Sequence, residues 1–127
     1  MNVTDTAVSL NVPDVEASAA FAKAHFGFVE VMLSHDGFVA LNHPSGGFHV
    51  TFLATGLPTF KPAEIAGSAG QGLLLALVVD EIDAEFDRIA GAGARVITRP
   101  ETEPWGERFC QFADPNGIVW QLVQWVN

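Results

Sequence analysis

A chain that spells the same order of elements twice has few folds open to it. Residues 7–12 alternate, with Val8, Leu10 and Val12 on one side, and read as a strand. Pro13-Asp14 ends that strand and caps a helix in which Val15, Ala19, Ala22 and Phe26 recur at helical spacing, with Gly27 closing it. Three more strands follow at residues 28–33, 37–41 and 48–53, separated by turns at His35-Asp36-Gly37 and Pro44-Ser45-Gly46-Gly47. The second half runs in the same order. Residues 73–79 read as a strand, Asp80 as the cap of a helix carrying Ile82, Phe86, Ile89 and Ala90, and Gly91-Ala92-Gly93 as its end. Strands at 95–98, 108–113 and 118–125 complete the set.

The letters repeat as well as the order. Val12-Pro13-Asp14-Val15-Glu16-Ala17 matches Val79-Asp80-Glu81-Ile82-Asp83-Ala84, and Pro44-Ser45-Gly46 echoes Pro115-Asn116-Gly117. The fold class is therefore α+β, with two tandem βαβββ modules over residues 5–53 and 73–127 of a single domain. They are joined by a Gly, Pro, Ser and Thr-rich linker, 54–72, long enough to be a lid or a dimer arm. A βαβββ unit covers one sheet face with its helix and leaves the other open. Two such units can make a curved mixed sheet with helices outside and an open concave face of apolar and polar character, the usual setting of a small-molecule site.

Composition narrows the function. With 127 residues the chain can bury one sizeable core. Fifteen acidic against six basic residues give a net charge of −9, which argues against nucleic acid, since phosphate contacts need clustered Lys and Arg. No apolar run is long enough to span a bilayer, and Met1-Asn2-Val3-Thr4-Asp5 lacks the basic and apolar regions of a signal peptide, so the expectation is a cytoplasmic protein. The single Cys110 excludes an internal disulfide and reads as a small buried hydrophobe in a strand.

The paired modules, the strand ending Val12-Pro13-Asp14, and Pro104-Trp105-Gly106 followed by Phe112-Ala113-Asp114-Pro115-Asn116-Gly117 resemble the vicinal oxygen chelate superfamily. That group includes glyoxalase I, extradiol dioxygenases, fosfomycin-resistance enzymes and bleomycin-resistance binding proteins. The resemblance implies a divalent metal, where one is bound, held by His, Glu or Gln at four equivalent positions on the open face. In this chain those positions read Ala7, Leu74, Gln121 and either Thr51 or Val50, depending on whether Gly47 or Gly46 is matched to Gly117. Alanine and leucine offer no donor atom, and a divalent ion needs three or four good ones, so we expect neither metal nor cofactor. A relocated site would have to combine His49 and Gln121 with Glu107.

No nucleophile with a base beside it and no phosphate-cradling loop is evident, so the reading leans away from an enzyme. The residues expected on the open face are Ser9, Phe38, His49, Thr51, Phe109, Gln111 and Gln121, with Trp105 at the rim. Aromatic walls with uncharged hydrogen-bonding groups suit a partly aromatic, neutral or cationic ligand. Similarity to the metal-free acidic members of the superfamily implies a homodimer that sequesters an antibiotic-like molecule, as bleomycin-resistance proteins do. The alternative is a glyoxalase- or dioxygenase-like lyase or oxidoreductase with a relocated metal, or with acid–base chemistry at His49 or Glu107.

Overall fold

Both repeats form. The computed structural model describes residues 1–34, 37–69 and 71–126, without the side chains of residues 32–34, so part of the expected turn at His35-Asp36 lies outside the described residues. The chain divides into two units, Met1–Gly70 and Gln71–Asn127. The first holds β1 (Ala7–Val12), α1 (Val15–Phe26), β2 (Val29–Ser34), β3 (Phe38–Asn42) and β4 (His49–Ala54). The second holds β5 (Leu75–Val78), α2 (Ile82–Gly91), β6 (Arg95–Thr102), β7 (Glu107–Ala113) and β8 (Val119–Trp125). Each unit has its own four-stranded mixed sheet, ordered β1-β4-β3-β2 and β5-β8-β7-β6. The first and last strands of each module pair in parallel, and the remaining ladders are antiparallel.

Alternation assigns the two faces of each sheet. In the first unit Leu10, Val12, Val39, Leu41, Val50 and Phe52 are buried on the side of α1, whose Val15, Ala19, Ala22 and Phe26 are buried in turn. In the second, Leu75, Cys110, Phe112, Trp120 and Leu122 are buried together with Ile82, Phe86 and Ile89 of α2, and the rings of Phe86 and Phe112 stack with centroids 5.4 Å apart.

The expected start and stop of α1 are present. Asp14 accepts a hydrogen bond from the Ala17 N–H at 3.1 Å, and Gly27 takes the left-handed conformation at φ +77°. The expected Asp80 cap of α2 is not. Glu81 occupies the cap position and makes no side-chain bond to the helix; instead Gln124 Oε1, on β8, accepts the Ile82 N–H at 2.9 Å. Asp80 lies one residue too early, and the orphan N–H is met from the neighbouring strand.

The echoed turns are the same device built from different atoms. Asp114 is 3% exposed, and its Oδ1 accepts the N–H groups of Asn116 and Ile118, both at 2.9 Å, while its carbonyl accepts the Gly117 N–H at 2.9 Å. In the first module His43 stands in for the aspartate: Nδ1 accepts the Ser45 N–H at 3.1 Å and the carbonyl accepts the Gly46 N–H at 3.1 Å. The His43 Nε2 lies 2.7 Å from the Phe26 carbonyl at the end of α1, and its ring packs edge-on against Phe28 at 4.9 Å. With Nδ1 accepting, Nε2 carries the proton and donates to the helix end.

The linker region returns to β1. The Ala69 N–H donates to the Asn11 carbonyl at 2.8 Å, and Asn11 Nδ2 donates to the Ile65 carbonyl at 3.2 Å. Among the described residues no helix is long and apolar enough to cross a membrane.

Because Asp114 satisfies two backbone donors from a buried position, Asp114→Ala is expected to cost about 2–3 kcal/mol in urea unfolding, and His43→Ala about 1–2 kcal/mol. A loss under about 0.5 kcal/mol for Asp114→Ala would mean the turn does not depend on the carboxylate.

Candidate functional site

Each sheet has one face turned away from its helix, and the register places the expected site residues on those faces. In the second unit, Thr98 pairs with Gln111, Gln111 with Gln121, and Gln121 with Ala76, so one straight row crosses all four strands. Its polar members are joined: Thr98 Oγ1 donates to Gln111 Oε1 at 2.7 Å, and Gln111 Nε2 donates to Gln121 Oε1 at 2.8 Å. The neighbouring row holds half-buried Phe109, paired with Val123, which in turn pairs with Val78. Leu74, Val78 and Trp125 are exposed at 49, 68 and 59%. Trp105 lies between β6 and β7, is 66% exposed, and donates its indole N–H to Glu107 Oε1 at 3.1 Å.

In the first unit, Ser9, Thr51 and Ala40 share one row, and Asn11, Leu53 and Phe38 the next. The register decides between the two sequence matches at the fourth strand. Val50 is fully buried on the helix side, whereas half-buried Thr51 faces away, so Thr51 is the position equivalent to Gln121, and it stands one residue further from its turn glycine, Gly46, than Gln121 does from Gly117. His49 pairs with Ala7, and its Nε2 lies 3.0 Å from Asp5 Oδ1. The same oxygen accepts the Thr6 N–H at 2.8 Å. His49 Nδ1 is buried and has no hydrogen-bond partner among the described residues.

The donor set does not fit a divalent metal. The four superfamily positions supply a methyl, a hydroxyl, an isobutyl group and an amide, at Ala7, Thr51, Leu74 and Gln121. Among the described residues no three of His, Cys, Asp or Glu come together in a way that could hold an ion. The relocated alternative meets a further difficulty within the second unit: Glu107 is four residues up β7 from Gln111, about 13 Å along the strand, and its carboxylate is engaged by Trp105.

Sequence reasoning missed Thr98 and Asp5. Thr98 sits between two register shifts on β6, one between Val96 and Thr98 and one between Thr98 and Glu101, so counting residues from the turn does not place it opposite Gln111. Asp5 precedes the first strand, and only the parallel pairing of β1 with β4 brings it beside His49.

Comparison with known proteins agrees with this architecture. The model of the family described as the Glyoxalase/Bleomycin resistance protein/Dioxygenase superfamily matches residues 5–122. A crystal structure of a glyoxalase/bleomycin resistance protein/dioxygenase from Nocardioides is 25% identical, with a TM-score of 0.80 over 100% of this chain and 86% of the other. TnmS3, an antibiotic binding protein from Streptomyces sp. CB03234, is 24% identical, with a TM-score of 0.75 over 98% of each chain. Lactoylglutathione lyase from Agrobacterium tumefaciens is 19% identical, with a TM-score of 0.78 over 97% of this chain and 94% of its own. An uncharacterized protein of Mycobacterium bovis is 42% identical over 55 residues, 43% of this chain, and the match spans only 36% of that relative's length.

Cys110 faces the helix side, fully buried, and burial pushes its thiol up to about 11 from a usual value of 9.0, against a smaller lowering by a backbone hydrogen bond at Leu122. A two-unit rise cuts the thiolate fraction about 100-fold. At pH 8 native Cys110 should therefore react with a disulfide reagent at least about 100-fold more slowly than in the urea-unfolded chain. Equal rates would show that β7 opens readily. Since the folded chain holds this proton to higher pH, stability is lost as pH rises from about 9 towards 11, and Cys110→Ala removes that slope.

Proposed function

The chain belongs to the glyoxalase/bleomycin resistance protein/dioxygenase superfamily, and on that premise we propose that it is a metal-free binding protein that sequesters a small molecule. The observation that carries this reading is the chemistry of the open faces. Where a metal-dependent member would need charged or imidazole donors, this chain has Ala7 and Thr51 in the first unit, with Phe38 one row from Thr51, and Leu74 and Gln121 in the second, with Phe109 one row from Gln121. Amides and hydroxyls between aromatic and apolar groups bind without forming or breaking a bond. Sequestration asks only for a dissociation constant below the working concentration of the ligand.

The ligand class that fits is partly aromatic and neutral or cationic. Faces of Phe and Trp attract planar rings and cations, and the net charge of −9 disfavours anions. The proposed ligand-binding residues are Ser9, Phe38, His49, Thr51, Trp105, Phe109, Gln111 and Gln121, acting in a cytoplasmic homodimer. The similarity to an antibiotic binding protein supports an antibiotic-like ligand. One observation favours a second reading, acid–base catalysis without a metal: Asp5 lies against one nitrogen of His49, an arrangement that orients an imidazole for proton transfer.

Thermal unfolding of metal-stripped protein separates the readings. Bleomycin and other aromatic cationic antibiotics at about 100 times their dissociation constant should add roughly 2.7 kcal/mol of stability, and Zn²⁺, Ni²⁺, Mn²⁺ or Fe²⁺ should add nothing. The bound drug should be recovered unchanged. A saturable metal shift at one equivalent per chain would overturn the sequestration reading, and chemical conversion of the drug that is abolished by His49→Gln would establish the catalytic one.

A further inference from the structure

The row across the second sheet has a direction. Thr98 supplies the hydroxyl proton to Gln111 Oε1, and the 2.7 Å separation lies in the range of O–H···O bonds. Gln111 is thereby left with its N–H₂ for Gln121, whose carbonyl oxygen accepts it at 2.8 Å. The acceptor of Gln121 is thus spent inside the protein. Its two N–H donors have no partner among the described residues, and the next position in the row, Ala76, has no polar side-chain atom to offer one. Turning the Gln121 amide over by itself would set N–H against N–H and lose the bond to Gln111.

We propose that the hydrogen-bonded row from Thr98 through Gln111, in the sense seen here, presents Gln121 to the open face as a hydrogen-bond donor, and that this selects ligands presenting a carbonyl oxygen beside an apolar surface. The apolar part is supplied by the same face, where exposed Val78 lies two residues from Ala76 along β5, exposed Leu74 immediately precedes the strand, and Phe109 lies one row away. A donor with no competing acceptor next to it rewards a ketone, amide or ester oxygen. It gives no advantage to a hydrocarbon of the same shape. Thr98 is a positioning residue here: it orients Gln121 and does not itself touch the ligand. The inference rests on the reading of this face as a small-molecule site, and it adds which functional group the site recognises.

The test uses the full chain and two probes of matched shape, 1-indanone and indane, titrated while the side-chain amide signals of Gln111 and Gln121 are followed by ¹⁵N NMR. The expected result is that indanone shifts the Gln121 N–H₂ pair and binds about five-fold more tightly than indane, as one neutral hydrogen bond allows. Gln121→Leu should abolish that preference. Thr98→Val keeps the shape and strand propensity of the side chain, so it should reduce the preference, leave indane binding unchanged and loosen both glutamine amides on the nanosecond timescale. Thr98→Ser should restore the wild-type pattern. Equal binding of both probes in wild type and variants would overturn the donor assignment while leaving the binding face standing. A preference that survives Thr98→Val with rigid amides would remove Thr98 from it. If neither probe perturbs the open-face signals at millimolar concentration, the small-molecule reading of this sheet fails and the proposal falls with it.

Discussion

The point where the last strand of each module begins decides what every residue after it does. A side chain's face alternates with period two, so a slip of one residue would bring Gln121 under α2 and push Trp120 into the open. Asp114 prevents the slip. Its buried carboxylate holds the N–H groups of Asn116 and Ile118, and its own N–H donates to the Ile118 carbonyl at 2.8 Å, so β8 can start in one register only. The first module closes its turn with His43, which accepts the Ser45 N–H and whose second nitrogen reaches the end of α1. A carboxylate oxygen is replaced there by an imidazole nitrogen whose ring gains a second partner.

Once register is fixed, the packed core and the open face separate. The helix side carries Phe52, Phe112, Trp120 and Leu122, all essentially inaccessible, and large-to-small changes there cost several kcal/mol in domains of this kind. The open side carries Ala, Ser, Thr and Gln in its central rows, residues that contribute little to the core. The fold therefore does not care whether those positions hold metal ligands or amides. This is why architecture and activity come apart in such folds, and why the side chains of the open face, rather than the similarity of the backbone, bear on function.

Much of this could be read from the letters. Strong local signals gave the six residues of β1, the Asp14 cap and the left-handed Gly27, because each depends on a few neighbouring residues. The family resemblance put Gln111 and Gln121 on the open face, and period-two alternation from Gln121 then put Trp120 on the other. What could not be read depends on contacts between distant segments. The cap of α2 comes from Gln124, 42 residues on. The link from His43 to the end of α1 is not legible either, because its partner, the Phe26 carbonyl, is a backbone atom with no signature in the sequence. The place of Thr98 depends on two irregularities in β6, which propensity does not locate to the residue.

The hydrogen-bonded row also bears on why an uncharged site is a coherent end state rather than a damaged metal centre. A lone buried carboxylate or imidazolium at position 121 would carry a desolvation cost that a metal or counter-charge must offset. Glutamine carries no charge, and its carbonyl is satisfied by Gln111, which is satisfied by Thr98. Three residues on three strands thus agree on a neutral arrangement, whereas loss of a metal ligand by drift would alter only one. A glutamate at 121 could still accept from Gln111 Nε2, but it would have no N–H to present outward. On the proposed reading of this face, that exchange would turn a preference for an acceptor on the ligand into a preference for a cation or a metal, without disturbing any residue on the helix side.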